Sequence, residues 1–176
     1  MPSAGEDPDR MIPDVSTGIG FDAHRFADSG ERRPLWLACL QWDDGTPGIA
    51  GDSDGDVAVH ALIDAMLSAS HLGDIGSHFG QGPQSKGAGM HGAEMLRWTA
   101  DLLREHGWSL INASVVVVAR APRLSARRDQ AQESMSQALG APVSLTATTT
   151  DGLGFTGSGE GVAAMATALV RRREAV

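Results

Sequence analysis

Cysteine is nearly absent from this chain. With Cys39 alone, no intrachain disulfide can form, and a reducing compartment fits. Cys39 sits in the apolar run Leu35–Leu40 and reads as a small core residue rather than a nucleophile. No stretch is long and apolar enough to span a bilayer. Positive charge is also short: 14 Lys and Arg face 22 Asp and Glu, for a net charge of −8. That balance argues against generic attraction to nucleic acid or an anionic membrane. A phosphorylated ligand would therefore need local positive charge from a metal, arginines or backbone N–H groups. Met1–Asp14 carries Pro, Gly, Asp and Glu without an apolar signal-peptide segment, and predicts a flexible tail over residues 1–15. There is no Walker A loop and no Gly-x-Ser-x-Gly elbow. The glycines of 154–161 lack the following helix signal that a dinucleotide fold needs.

What is present suits one ordinary domain, expected over residues 16–174. Apolar residues make up 41% of the 176, enough for a real core. Thr17–Phe26 alternates as a strand, with Phe21 and Ala23 expected toward the core. Arg33–Trp42 reads as a second strand, a candidate to pair with the first in an open register. The segment from Asp56 to Leu72 predicts a helix with Val59, Leu62, Ile63, Met66 and Leu67 on one face, Asp54 or Ser53 as its N-cap and Gly73 beyond its end. Residues 76–92, rich in glycine, predict an exposed, mobile loop. Helices are expected over 93–106 and 126–139, and strands over 110–120 and 143–150. The last segment, 162–172, is open: its alanines favour helix, its place after a strand and loop suits a closing strand.

Asp22 and His24 stand two apart on the first strand, so their side chains share a face and could chelate a cation; a plain Asp–His hydrogen bond is the competing reading. His60 lies one helical turn before Asp64, which could orient its imidazole. Two histidines and one carboxylate suit catalytic zinc with an open fourth position, and suit iron or manganese as well. Thr148-Thr149-Thr150-Asp151 ends a strand and enters a glycine-rich loop whose hydroxyls and N–H groups could take phosphate, with Asp151 able to hold a harder cation such as Mg2+.

Taken together, Gly20-Phe21-Asp22-Ala23-His24, the stretch from Ser53 to Leu62, Gly73-Asp74-Ile75-Gly76, and the stretch from Ala147 to Gly157 resemble the 2-C-methyl-D-erythritol 2,4-cyclodiphosphate synthases, in order, from about Gly18 to the C-terminus. The resemblance implies an α+β single domain with a mixed β-sheet backed by helices on one face, a closing strand at 162–172, and a homotrimer with active sites between subunits. It implies a cytoplasmic bacterial enzyme. Its substrate is a cytidine diphosphate derivative, 4-diphosphocytidyl-2-C-methyl-D-erythritol 2-phosphate, whose 2-phosphate attacks the β-phosphorus and releases CMP. By the same match, Asp22, His24 and His60 hold zinc, and Mg2+ or Mn2+ lies beside Asp151. Thr149 helps stabilise the transition state, and Asp52 takes a phosphate-stabilising position. Asp22, His24, Asp52, Ser53, Asp74, Ile75, Gly76, Phe155 and Ser158 face the substrate. Ala119, Pro122, Arg123, Leu124, Ser125, Ala147, Thr148 and Thr149 hold the cytidine.

Three positions and one loop depart from that family's usual pattern. Asp52 replaces a histidine, Asp151 a glutamate, and Ser158 an arginine near the trimer axis, while residues 79–83 lack acidic side chains. An ionised aspartate only accepts hydrogen bonds and repels phosphate. This keeps open a homologue that binds metal and nucleotide without turnover, and, as a third reading, a metal-dependent phosphate-ester hydrolase.

Overall fold

The computed structural model describes residues 13–28 and 30–173. Of the expected tail, residues 1–12 lie outside the described residues, and Val15 already opens a strand opposite Arg171. The chain runs β1 (Val15–Arg25), β2 (Leu35–Leu37), β3 (Leu40–Trp42), α1 (Val57–Ser70), α2 (Ile75–Phe79) and α3 (Gly92–Glu105). It continues β4 (Trp108–Val118), α4 (Arg128–Leu139), β5 (Val143–Thr148), α5 (Gly154–Ser158) and β6 (Gly161–Arg172). The main sheet has the order β1-β6-β4-β5. Its first two pairings are antiparallel and β4–β5 is parallel, so the sheet is mixed. Helices α1, α3 and α4 pack as a layer over β1 and β6, β4, and β5 respectively. Segment 162–172 is thus a strand, hydrogen-bonded on both sides; its buried alanines face the helix layer instead of extending it.

Two glycines decide how close that layer sits. A Cβ built on Gly18 would fall 2.1 Å from the Ala65 carbonyl, and one on Gly20 2.0 Å from the Ala61 carbonyl. Helix α1 therefore lies directly on the backbone of β1. Its small residues Ala61, Ala65 and Ala69 form the contacting ridge. The expected single apolar face is corrected here: α1 is buried nearly all round, as befits a helix at the centre of a core. Because the glycines face α1, the alternation of β1 runs opposite to expectation. Ile19 and Phe21 stand on the uncovered face of the sheet, 61% and 60% exposed, while Asp22 and His24 share the glycines' side.

Three further expectations change. Residues 33–42 do not form one strand pairing with β1; β2 and β3 fold back on each other. Their turn puts Ala38 and Cys39 at φ 54° and 62°, a left-handed conformation usually left to Gly or Asn. Both turn N–H groups donate to one carboxylate, Ala38 to Asp56 Oδ1 (2.8 Å) and Cys39 to Asp56 Oδ2 (2.7 Å). Asp56 also accepts from Val59 N and is the actual N-cap of α1, in place of Ser53 or Asp54. Residues 76–92 are not simply an exposed loop. Asp74 and Ser77 form a capping box that starts α2, and Phe79 at its end is buried.

Candidate metal centre

The close packing of α1 on β1 brings His60 over the strand beside Asp22 and His24. Asp22 Oδ2 lies 3.0 Å from His24 Nδ1 and 3.1 Å from His60 Nδ1. The ligand atoms of the three residues all fall within 4.8 Å of one another. The His60 contact is a hydrogen bond. The buried His24 Nδ1, despite its 3.0 Å separation from the carboxylate, is out of line and makes none. A buried ring nitrogen left without a hydrogen-bond partner beside a carboxylate is consistent with a coordination site. The donor set, two imidazoles and one carboxylate, suits a divalent transition metal with a position left open.

Electrostatics agree. Burial raises the Asp22 carboxyl pKa, but the close imidazoles of His24 and His60, by contact and by charge, outweigh it and hold it below the ordinary range. Burial lowers the His60 pKa, yet its hydrogen bond to Asp22 and the charges of Asp22, Asp56 and Asp54 raise it on balance. Asp22 and His60 thus favour each other's charged form, and a cation entering the triad would take over the role of the His60 proton.

His60 is oriented from its far side by Ser53, whose Oγ lies 3.0 Å from Nε2 and accepts from Gly55 N. Asp64 is not the orienting group. Its Oδ1 accepts instead from Ile75 N at 2.7 Å and so fixes the start of α2. Burial raises the Asp64 pKa against that hydrogen bond. Asp52 turns its Oδ2 to Gly82 N, 2.7 Å away. The triad opens into a cavity of about 210 Å³ whose walls include Asp52, Ser53, Ile75 and Gly76. Phe79, Gly80, Gln81, Ser85, Gly87 and Met95, none of which the sequence reading places at the site, line the rest of it.

The other expected residues assemble elsewhere. β4 and β5 end side by side, Val118 opposite Thr148, and Ala119 N donates to the Thr148 carbonyl. Beyond them, Pro122 and Leu124 are buried, whereas Arg123, Ser125, Ala147, Thr148 and Thr149 are exposed. Thr149 Oγ1 donates to Asp151 Oδ1 at 3.0 Å, and Asp151 holds a left-handed φ of 52°. Phe155 is exposed on α5, and Ser158 donates to Glu160 Oε1 at 2.6 Å. Register puts this group at the same end of the sheet as His24, but β5 is three strands away, roughly 14 Å at one strand spacing each. Among the described residues, the triad's cavity takes no wall from 119–125 or from 147–158.

A mixed sheet under one helix layer, with a two-histidine, one-carboxylate pocket by one edge strand and a hydroxyl-rich loop by the other, defines an α+β domain with a candidate metal site. The chain belongs to the YgbB family, whose model matches residues 15–171. It is 52% identical over 168 residues to a 2-C-methyl-D-erythritol 2,4-cyclodiphosphate synthase of Bifidobacterium longum, covering 90% of this chain and 97% of that one. Its fold matches a CDP-bound form of 2C-methyl-D-erythritol-2,4-cyclodiphosphate synthase with TM-score 0.74 and 35% identity, covering 88% of this chain and 99% of that one. It also matches the bifunctional IspDF from Campylobacter jejuni, with TM-score 0.81 and 37% identity; it spans 42% of that longer chain, and 90% of its own length is covered.

Proposed function

We propose that this chain is a 2-C-methyl-D-erythritol 2,4-cyclodiphosphate synthase of non-mevalonate isoprenoid biosynthesis, working in the cytoplasm as a homotrimer. The observation that carries this is the convergence of Asp22, His24 and His60 at one point in a YgbB-family chain. The substrate is 4-diphosphocytidyl-2-C-methyl-D-erythritol 2-phosphate. An oxygen of its 2-phosphate attacks the β-phosphorus; the bond from that phosphorus to the bridging oxygen breaks, and CMP leaves with the electron pair. The nucleophile belongs to the substrate, so the protein's task is positioning and charge neutralisation.

Asp22, His24 and His60 would hold the divalent metal, zinc by donor type, which supplies Lewis-acid neutralisation of phosphate charge when bound. Ser53 keeps His60 turned toward it. Asp74, Ile75 and Gly76 bound the methylerythritol end. Thr149 orients Asp151, whose exposed carboxylate would hold Mg2+ or Mn2+, which would supply further neutralisation of phosphate charge. Segment 119–125 with Ala147 and Thr148 takes the cytidine, and Phe155 and Ser158 lie at the edge of the substrate site.

Two features support the trimer. The uncovered sheet face carries an apolar stripe of Val15, Ile19, Phe21 and Met165, too contiguous for a free surface. The metal triad and the cytidine segment also lie on opposite edges of one chain, so one active site needs a metal edge from one subunit and a cytidine edge from the next.

The test is incubation with the cytidyl substrate, Zn2+ and Mg2+, followed by 31P NMR. A cyclic diphosphate with stoichiometric CMP is expected. Binding without turnover would instead assign a metal- and nucleotide-binding protein, and free inorganic phosphate a hydrolase.

A further inference from the structure

Asp52 is exposed, lines the candidate metal cavity and makes no hydrogen bond to the triad among the described residues. Its carboxylate Oδ2 accepts from Gly82 N at 2.7 Å, thirty residues along the chain. Its own carbonyl accepts from Gly89 N at 2.9 Å. The seam continues inward, with Asp54 N donating to the Met90 carbonyl (3.2 Å) and Gly92 N to Asp54 Oδ2 (2.7 Å). Four hydrogen bonds thus stitch 52–54 to 82–92. Between the two Asp52 stitches, the 82–89 segment folds on itself through Ser85 N to the Gly82 carbonyl and Ala88 N to the Ser85 carbonyl. Its outer side is anchored by Lys86, whose ammonium sits 3.1 Å from the Trp98 ring centroid. This segment with the preceding turn supplies Gly80, Gln81, Ser85 and Gly87 to the cavity wall.

Residues 80–89 include four glycines and one proline, a composition with little intrinsic order, so the wall depends on such anchors together with the bond from Gly87 N to the Phe79 carbonyl (2.9 Å). The stitch from Gly92 N to the Asp54 carboxylate is buried. The carboxylate stitch from Gly82 N to Asp52 is exposed. We propose that Asp52 is a positioning residue: its side chain fixes the 80–89 wall of the metal cavity and thereby sets the substrate's fit, without itself touching the reacting phosphates. A short acceptor with a full negative charge suits a lone backbone N–H and keeps the carboxylate turned away from an anionic ligand. The kinetic part of this inference rests on the synthase reading; the structural part does not.

Asp52→Ala and Asp52→Asn in the full-length chain separate the alternatives, with hydrogen–deuterium exchange of amides 80–89 as the main measurement. Loss of one charge-assisted hydrogen bond predicts about tenfold faster exchange in Asp52→Ala. Asp52→Asn keeps an acceptor oxygen, so its exchange is expected to stay within about threefold of the parent chain. With the cytidyl substrate, Asp52→Ala should raise KM by a larger factor than it changes kcat. Unchanged exchange in Asp52→Ala, or equal exchange in both variants, overturns the proposal. So does a matched rise in kcat in both, which would show the charge acting directly on the substrate. If the chain proves to have no synthase turnover, the exchange comparison still decides the positioning role.

Discussion

At the scale of single residues, the metal triad depends on groups that never reach the metal. Ser53 holds the far nitrogen of His60, so Ser53→Ala should weaken zinc binding by about 10–100-fold, measured by competition with a chromophoric chelator. An unchanged affinity would leave His60 oriented by packing alone. Asp56 carries a larger load, because three backbone N–H groups converge on its buried carboxylate. Asp56→Asn replaces one acceptor by a donor facing an N–H, and is expected to cost about 2–3 kcal/mol in urea unfolding. Burial, and after it the charge of Asp54, push Asp56 up to about 6 from 3.8 against those hydrogen bonds. The folded chain then binds this proton more tightly than the unfolded one. The group's contribution is complete below about 3.8 and is lost as pH rises through about 6. The stability gap between the parent chain and Asp56→Asn should therefore narrow over that window; a widening gap would contradict the assignment. The neighbouring Cys39 thiol is pushed up by burial and by the charges of Asp56 and Asp54. Thiol reagents at pH 8 should modify it at least about a hundredfold more slowly in the native chain than in urea.

At the scale of elements, the contact of α1 with β1 is the feature on which the site hangs. Gly20→Ala would drive a methyl group into the Ala61 carbonyl, and Gly18→Ala into that of Ala65. Each should destabilise the chain by about 3 kcal/mol or more, seen as a fall in the urea midpoint, and should reduce zinc binding as His60 is displaced from Asp22. This contact also explains which parts of the architecture could be read from sequence. Strand character in 17–26 and helices near 56–72, 93–106 and 126–139 followed from local periodicity, and the structure has them. The facing of β1 did not. Hydrophobicity points Ile19 and Phe21 inward, but glycine at 18 and 20 lets a helix lie on the other side, and only the neighbouring element reveals that. The β2–β3 turn was illegible because Ala38 and Cys39 are poor turn residues. A carboxylate 17 residues onward supplies what glycine would otherwise have supplied. Segment 162–172 was undecided for a similar reason: alanine in a central strand satisfies the close-packed helix layer above it, whatever its intrinsic preference.

At the scale of the whole molecule, the apolar stripe on the uncovered sheet face predicts assembly. The chain should sediment at three times its 18.4 kDa mass, and Phe21→Asp, which sets a charge in that stripe without touching the helix side, should shift it toward monomer. The site itself was legible only in part. Its ligand types could be quoted from the sequence, and Asp22, His24 and His60 do meet; Asp64 and Asp52 turn to backbone N–H groups instead, a choice set by loops that no local pattern specifies. The separation of the two edges has a genetic counterpart. A chain crippled at the metal edge by His60→Ala still offers an intact cytidine edge, and one crippled at Thr149→Ala still offers an intact metal edge. Neither alone would support growth of a strain that depends on it. Co-expressed in equal amounts and free to mix, they should rebuild about a quarter of the sites in hybrid assemblies. Two dead alleles would then complement each other, as alleles of a gene for a self-contained monomer cannot.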